Sequence, residues 1–152
     1  MSENTRIWLA ASYAAPFRTG GWAFVRSAAG AVTGMAGGDR RITAERLALS
    51  AILAALKDGS GPVELIAADP LIVGVPQRLE ATGDDAPTED LDLWAQVATA
   101  FRSRPVRLVR QAPAPGKPLA FAAAWAEQSR ERAKNGAFAF PIPKPNLAKA
   151  GA

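Results

Sequence analysis

The sequence predicts an α/β fold in which helices flank a mixed sheet. Three short strand-type segments near the N-terminus are joined by brief connections, and this is typical of an antiparallel meander. After the meander, segments with helical periodicity alternate with short apolar strands, which places helices on the faces of a mixed sheet. The predicted order is β-β-β-α-β-α-α-β-α, with five strands in the sheet.

The meander is predicted from apolar runs that small residues separate. Gly20 and Gly21 open the second strand, a turn follows it at 27–30, and Gly37 and Gly38 end the third strand. The later strand at 63–68 is short and apolar, which indicates burial on both faces. The five predicted strands are 6–12, 22–26, 31–35, 63–68 and 106–109.

Four helices are predicted from apolar periodicity and from residues that favour helix starts. Thr43 is a plausible N-cap, and Glu45 follows in the first turn, where a carboxylate suits the helix dipole. Asp69 before Pro70 combines an N-cap with a proline at the first helical position. The acidic stretch 83–90 is predicted as a loop. The first predicted helix begins after Thr43. The other three predicted helices span 71–79, 91–102 and 119–134.

The composition excludes several kinds of chemistry. The 152 residues fit one domain and a tail, and they include no cysteine and no histidine. Disulfides, thiolate zinc sites, cysteine nucleophiles and the Ser-His-Asp triad are therefore excluded. No apolar run approaches the roughly 20 residues that a membrane span needs, and no signal-peptide pattern opens the chain. We expect a cytoplasmic protein without membrane contact.

Charge is distributed unevenly along the chain, whose formal net charge is +4. The stretch 80–92 holds six acidic residues and no basic one, whereas 102–149 holds ten basic residues and two acidic ones. Such asymmetry suits contact between the basic C-terminal third and either a polyanion or an acidic protein face. It equally suits a solvated helix face followed by a basic tail.

The last residues are predicted to form a tail rather than a packed element. Residues 1–134 are taken as the domain, and 135–152 as a basic segment interrupted by glycine and proline, either flexible or docking. Phe138, Phe140 and Ile142 are candidate partner-binding residues, because apolar groups on such a segment suggest docking onto the parent domain or onto a partner. A chain that ends at Lys134 is expected to melt within a few degrees of the full chain.

Several local motifs, in order from about residue 6 to residue 134, resemble ribonuclease H type 1. The resemblance implies a mixed five-stranded sheet and two-metal hydrolysis by four convergent carboxylates. The matching motifs are Ser12 at the end of the first strand, Gly20-Gly21-Trp22, the helix start at Glu45, Ala67-Ala68-Asp69, and Asp92-Leu93-Trp94.

The resemblance also implies that the metal site is incomplete. Glu45 and Asp69 match two of the family's carboxylates, but Ala10 stands at the first aspartate and Ala124 is the nearest match to the last. Glu45 and Asp69 alone would hold at most one mostly hydrated magnesium ion. We therefore expect a divergent member of the family that is not an enzyme and has no resident cofactor, with Glu45 and Asp69 kept as structural remnants.

The family's usual contacts to nucleic acid are altered as well. An amide-rich turn is replaced here by Arg40 and Arg41, and the basic handle of some members is replaced by the acidic stretch 80–92. Any nucleic acid is expected to bind the basic C-terminal third without sequence preference. The candidate nucleic-acid-binding residues are Arg40, Arg41, Arg130, Arg132 and Lys134. The tryptophans Trp22, Trp94 and Trp125 are assigned to the core.

Three functional hypotheses follow. The first is a non-catalytic ribonuclease H-like binding module that contacts a protein partner or nucleic acid. The second is a magnesium-dependent nuclease with an altered site, which needs a third carboxylate such as Asp39 or Glu127. The third is a structural subunit that docks through its C-terminal tail.

Overall fold

An antiparallel meander of three long strands forms the middle of the sheet in the computed structural model, which describes residues 5–152. β1 spans Thr5–Ala14, β2 spans Thr19–Ala28 and β3 spans Ala31–Arg40. Ala29 and Gly30 both have positive φ (50° and 79°), as expected for the primed two-residue turns that suit the twist of a hairpin. The meander pairs in antiparallel register from end to end.

Two parallel strands extend the sheet on one side, and an antiparallel strand extends it on the other. β4 (Val63–Ala67) pairs in parallel with β1, and β5 (Val106–Arg110) pairs in parallel with β4. β6 (Phe138–Pro141) pairs with the outer side of β3. Within residues 5–152 the strand order is β5-β4-β1-β2-β3-β6.

The helices begin where capping residues satisfy their first backbone N–H groups. The Thr43 hydroxyl accepts a hydrogen bond from the Arg46 N–H at 3.1 Å, and the Asp69 carboxylate accepts one from the Leu71 N–H at 2.8 Å. Both predicted N-caps are thus confirmed. The helices are α1 (Ala44–Leu56), α2 (Pro70–Val73), α3 (Val75–Glu80), α4 (Leu91–Ser103), α5 (Pro118–Arg132) and α6 (Lys144–Leu147).

The meander buries a different apolar cluster on each face. On one face, Ile7, Leu9 and Phe24 pack against α1 and α4. On the other, Ala10, Ala23 and Val25 pack against small residues of α5 and against the C-terminal segment. The alternation of side chains along β1 separates the two clusters, since successive residues point to opposite faces. Among the helices of the described chain, none is long and apolar enough to cross a bilayer.

The predicted mixed α/β fold is confirmed, with differences at Gly37 and Gly38. β3 runs through both glycines instead of ending there. A Cβ at Gly37 would collide with the Trp22 ring and the Phe138 carbonyl oxygen, and Gly38 pairs with Gly21. The glycines mark a close approach of neighbouring groups, so reading them as a strand end was wrong.

Other predicted elements have shifted or divided. The single helix predicted at 71–79 is two short helices that meet at Gly74, because Pro76 occupies the first turn of the second helix. Of the tryptophans assigned to the core, Trp22 and Trp94 are buried, with 8% and 6% exposure, whereas Trp125 is half-buried.

The C-terminal segment docks onto its own domain, which selects one of the two alternatives left open by the sequence. β6 raises the predicted five strands to six within residues 5–152, and the Ile142 N–H donates to the Gly34 carbonyl at 2.9 Å. Ile142, Leu147 and Ala150 are buried at 3%, 6% and 0% exposure. Ile142 therefore belongs to the core, and its assignment to partner binding is corrected.

Phe138 and Phe140, the other candidate partner-binding residues, are half-buried along β6. The two rings stack with centroids 5.8 Å apart, and Phe140 meets the edge of Trp125 at 5.9 Å. The Arg132 guanidinium lies over both phenylalanine rings. Through these contacts the aromatic side chains hold β6 against α5. The packing explains why apolar residues occur in this proline-rich segment.

This packing predicts that the C-terminal segment contributes to the stability of the domain. Replacing Ile142 by alanine should lower the free energy of unfolding by about 2–4 kcal/mol, because the substitution leaves a cavity between β3 and the C-terminal segment. The midpoint of thermal unfolding should fall by roughly 5–15 °C. Leu91→Ala is the matched control, since Leu91 is 59% exposed and its truncation should be nearly neutral. An Ile142→Ala variant as stable as the control would restore the view of a loose tail.

Candidate functional site

A cavity of about 360 Å³ lies where the family resemblance expects convergent carboxylates. It opens beside the carboxyl end of β4, between β1 and the first turns of α5. Alanine, leucine and proline dominate its wall, and Asp69 is the acidic residue in it. The lining residues are Leu9, Ala10, Ala11, Ala68, Asp69, Pro70, Pro113, Leu119 and Ala123.

Asp69 reaches this cavity because it follows β4 directly. Its Oδ1 atom caps α2 by accepting the Leu71 N–H, so one oxygen already has a structural partner. The other side chains that line the cavity, including those of β1 and α5, are aliphatic and supply no magnesium ligand.

Glu45 is the other matching carboxylate, and it is absent from the cavity wall. Its Oε1 atom forms an ion pair with the Arg78 Nη1 atom of α3. The Arg78 guanidinium in turn lies 4.8 Å from the centroid of the Trp94 ring. Glu45 is thereby neutralised by a cation that an aromatic ring holds in place, and this contact ties α1 to α3 and α4.

The two alanines assigned to lost carboxylates have different fates in the structure. Ala10 lines the cavity and is 8% exposed within the apolar cluster under α5. Ala124 is exposed on α5 and does not line the cavity, whereas Leu119 and Ala123, which are four residues apart on the helix, do. Ala123 therefore replaces Ala124 as the position on α5 that faces the cavity.

The residues at this place do not fit a pair of magnesium ions. Two-metal sites hold their ions with several convergent oxygen ligands. Within residues 5–152, no three acidic side chains come together as a group able to hold a metal ion. Asp39 accepts the Arg40 backbone N–H at 2.8 Å, and Glu127 is exposed on α5. Neither residue supplies the missing ligand.

Arg46 of α1 partly neutralises the acidic stretch 80–92. Arg46 contacts Asp90 at 3.1 Å and Asp92 at 3.0 Å. Its hydrogen bond lowers the pKa of the Asp92 carboxyl, and the two carboxylates raise the pKa of the Arg46 guanidinium. Sequence reasoning missed Arg46 and Arg78, because each lies more than thirty residues from its carboxylate partner.

A second surface gathers exposed cations from three loops, and we call it the basic edge. It consists of Phe17, Arg18, Arg40, Arg41 and Lys134. Arg40 Nη1 lies 3.5 Å from the Lys134 carbonyl oxygen, and Lys134 Nζ lies 5.5 Å from the centroid of the Phe17 ring. The loop after β1, the end of β3 and the end of α5 therefore meet at this edge.

Hydrogen bonds fix these loops to one another. The Arg18 carbonyl accepts the Ile42 N–H at 3.1 Å, and the Tyr13 hydroxyl donates to the Ile42 carbonyl at 2.7 Å. Arg18 and Arg41 adopt the left-handed backbone conformation, with φ of 52° and 57°. That conformation costs a non-glycine residue about 1 kcal/mol or more, so the surrounding contacts must hold both arginines in place.

The predicted nucleic-acid-binding residues do not all belong to this edge. Arg40, Arg41 and Lys134 do, but Arg130 turns inward, where its Nη1 donates to the Ser12 hydroxyl at 2.8 Å. Arg132 covers the rings of Phe138 and Phe140 at 4.7 and 5.1 Å. Sequence reasoning missed Phe17 and Arg18, although an aromatic residue next to Pro16 in a loop was the available signal.

Comparison with known proteins identifies the fold by structure rather than by sequence. No protein-family model and no curated protein matches the chain. The N-terminal RNase H domain of Rv2228c from Mycobacterium tuberculosis, solved as a fusion with maltose-binding protein, superposes with a TM-score of 0.63 at 16% identity. That alignment covers 87% of this chain and 96% of the other.

Two further solved proteins show the same likeness. LC9-RNase H1, described as a type 1 RNase H with the type 2 active-site motif, has a TM-score of 0.64 at 16% identity, covering 91% of this chain and 78% of its own. LC11-RNase H1, isolated from compost by a metagenomic approach, has a TM-score of 0.63 at 16% identity, covering 86% and 98%. The chain has an RNase H-like fold, and the resemblance seen in the sequence is confirmed at that level.

The cavity geometry yields a gain-of-binding prediction. Ala10→Asp combined with Ala123→Asp should place three carboxylates, counting Asp69, around one cavity and create measurable binding of Mn²⁺ and Mg²⁺ by calorimetry. The same ions should raise the melting temperature of the double variant, because binding to the folded state stabilises it. Ala10→Asp with Ala124→Asp is the matched control, since Ala124 lies on the exposed side of α5. Equal metal binding by both pairs would contradict the assignment of Ala123.

Proposed function

We propose that this chain is an RNase H-fold module that binds nucleic acid through the basic edge and does not hydrolyse it. The observation that carries the proposal is the gathering of Arg18, Arg40, Arg41 and Lys134 on one exposed edge. These residues come from three separate segments of the chain, and the fold brings the segments together. Clustered exposed cations are the general requirement for contact with a phosphate backbone.

The positions of the carboxylates support the absence of hydrolysis. Two dications held close together repel each other, and several anionic oxygens must offset that repulsion. Here Ala10 and Ala123 offer none, Glu45 is paired with Arg78, and Asp69 caps α2. The sequence also lacks histidine and cysteine, which are the usual alternative bases and nucleophiles.

The charge of the basic edge suits weak binding without base recognition. Its four cations have two carboxylates close to them, Asp39 and Glu131. Lys134 contacts Glu131 at 2.8 Å and lowers the pKa of that carboxyl, so Glu131 remains anionic and offsets part of the positive charge. The binding should therefore weaken with ionic strength, with a slope set by the small number of phosphates that four cations can neutralise. The names of the three similar solved proteins, all RNases H, further support nucleic acid as the ligand class.

The hypothesis of a structural subunit that docks through its tail is less favoured. A docking tail must expose its apolar anchors to a partner. Ile142 and Leu147 are instead buried against β3, and Phe138 and Phe140 pack against Trp125 and Arg132. The segment stabilises its own domain, and the basic edge remains the exposed surface with the clearest ligand chemistry.

Charge reversal at the basic edge tests the binding. Arg40→Glu, Arg41→Glu and Lys134→Glu together should weaken the binding of a labelled oligonucleotide at least tenfold. They should also reduce the slope of log K against log[salt] by about one for each lost phosphate contact. Fluorescence anisotropy over a salt series measures both. Lys57→Glu, Arg102→Glu and Lys149→Glu form a control of identical net charge, because these exposed cations lie elsewhere on the fold. Equal losses in both triple variants would contradict the proposal.

The catalytic part has its own test. The purified chain should not cleave an RNA–DNA hybrid with either Mg²⁺ or Mn²⁺ in a gel assay, because the carboxylates needed to hold two ions are missing. Robust cleavage that Glu45→Gln or Asp69→Asn abolishes would show that an altered metal site is active after all. Cleavage that both substitutions leave unchanged would indicate a contaminating nuclease, which a second purification would remove.

A further inference from the structure

We infer that the basic edge selects single-stranded nucleic acid, with Phe17 as the residue on which an unpaired base stacks. The inference rests on the proposed function, since it names the ligand class of the same surface. Its starting point is the position of one aromatic ring among the four cations of the edge.

Phe17 is the most exposed large hydrophobic residue within residues 5–152, at 68%. It ends a one-turn 3₁₀ helix (Ala15–Phe17) that lies between β1 and β2. Exposure of a phenylalanine ring to water is unfavourable by about 25 cal/mol for each Å² of apolar surface. Neither of the two apolar clusters includes Phe17, so packing does not account for this side chain.

The surroundings of the ring favour a nucleic acid over an apolar partner. Lys134 Nζ lies 5.5 Å from the ring centroid, and Arg18 follows Phe17 in the chain. A protein partner that buries Phe17 would also have to bury these cations, which costs free energy unless each one is paired. A single strand supplies a base for the ring and phosphates for the cations in one ligand.

The preference for single-stranded over duplex nucleic acid follows from the accessibility of the base faces. In a duplex the bases are stacked on one another, and a ring on a rigid loop reaches only the groove or the backbone. An unpaired base offers a whole π-face, and stacking on an aromatic side chain is tolerant of sequence. The hydrogen bonds of Ile42 to Arg18 and to Tyr13 hold the loop of Phe17 in place before a ligand arrives.

Phe17→Ala in the 152-residue chain tests the inference. The variant should bind a labelled single-stranded oligonucleotide about tenfold more weakly than the native chain, and a duplex of the same sequence with less than about a twofold change. Phe17→Trp should retain single-strand affinity, because an indole stacks as well as a phenyl ring. Leu91→Ala is the matched control for loss of an exposed apolar side chain, and melting temperatures should show that all three variants are folded.

The outcomes separate this inference from the proposed function. A native chain that binds the duplex as tightly as the single strand, or a Phe17→Ala variant with unchanged single-strand affinity, would overturn the stacking role and leave binding by the basic edge intact. Failure of the native chain to bind either oligonucleotide at low salt would overturn both proposals. Selective loss of single-strand affinity in Phe17→Ala, with rescue in Phe17→Trp, would establish the inference.

Discussion

The arrangement of the whole molecule depends on the direct contact between the backbones of α5 and β2 at Gly21. A Cβ at that residue would collide with backbone atoms of Ala126, Ser129 and Arg130. A glycine lets the helix lie on the strand at a distance that no other residue permits. The small residues Ala122 and Ala126 on the facing side of α5 serve the same close approach.

That contact positions both surfaces discussed above. Because α5 lies across the meander, its N-terminal turns border the cavity through Leu119 and Ala123. Its C-terminal end brings Lys134 beside Phe17 and Arg40. The apolar cavity and the basic edge thus lie at opposite ends of α5. Any shift of this helix along the sheet would alter both surfaces together.

Features encoded by neighbouring residues could be predicted from the sequence. The caps at Thr43 and Asp69 and the meander followed by alternating helices and strands required only local patterns. The residue of α5 that lines the cavity, Ala123, differs by one position from the predicted Ala124, because an alanine-rich helix such as 118–132 offers little periodicity to fix its rotation.

Features made by distant residues could not be predicted in this way. The ion pairs of Glu45 with Arg78 and of Arg46 with Asp92 join residues that are 33 and 46 positions apart. The same holds for β6, whose four residues are too few to identify a strand and gain their structure by pairing with β3. The basic edge forms where three loops meet, and no single segment of the sequence indicates that meeting.

The placement of β6 on the outer side of β3 has a consequence for association between copies of the chain. Without β6, the glycine-rich half of β3 would present its backbone N–H and C=O groups as an open template for strands of other molecules. β6 covers that half, and its short length and terminal Pro141, which has no N–H, make it a poor template itself. Its detachment from one copy and pairing with β3 of another would produce a domain-swapped dimer. The C-terminal segment thus covers a backbone edge that would otherwise be open to strand pairing, in addition to completing the core.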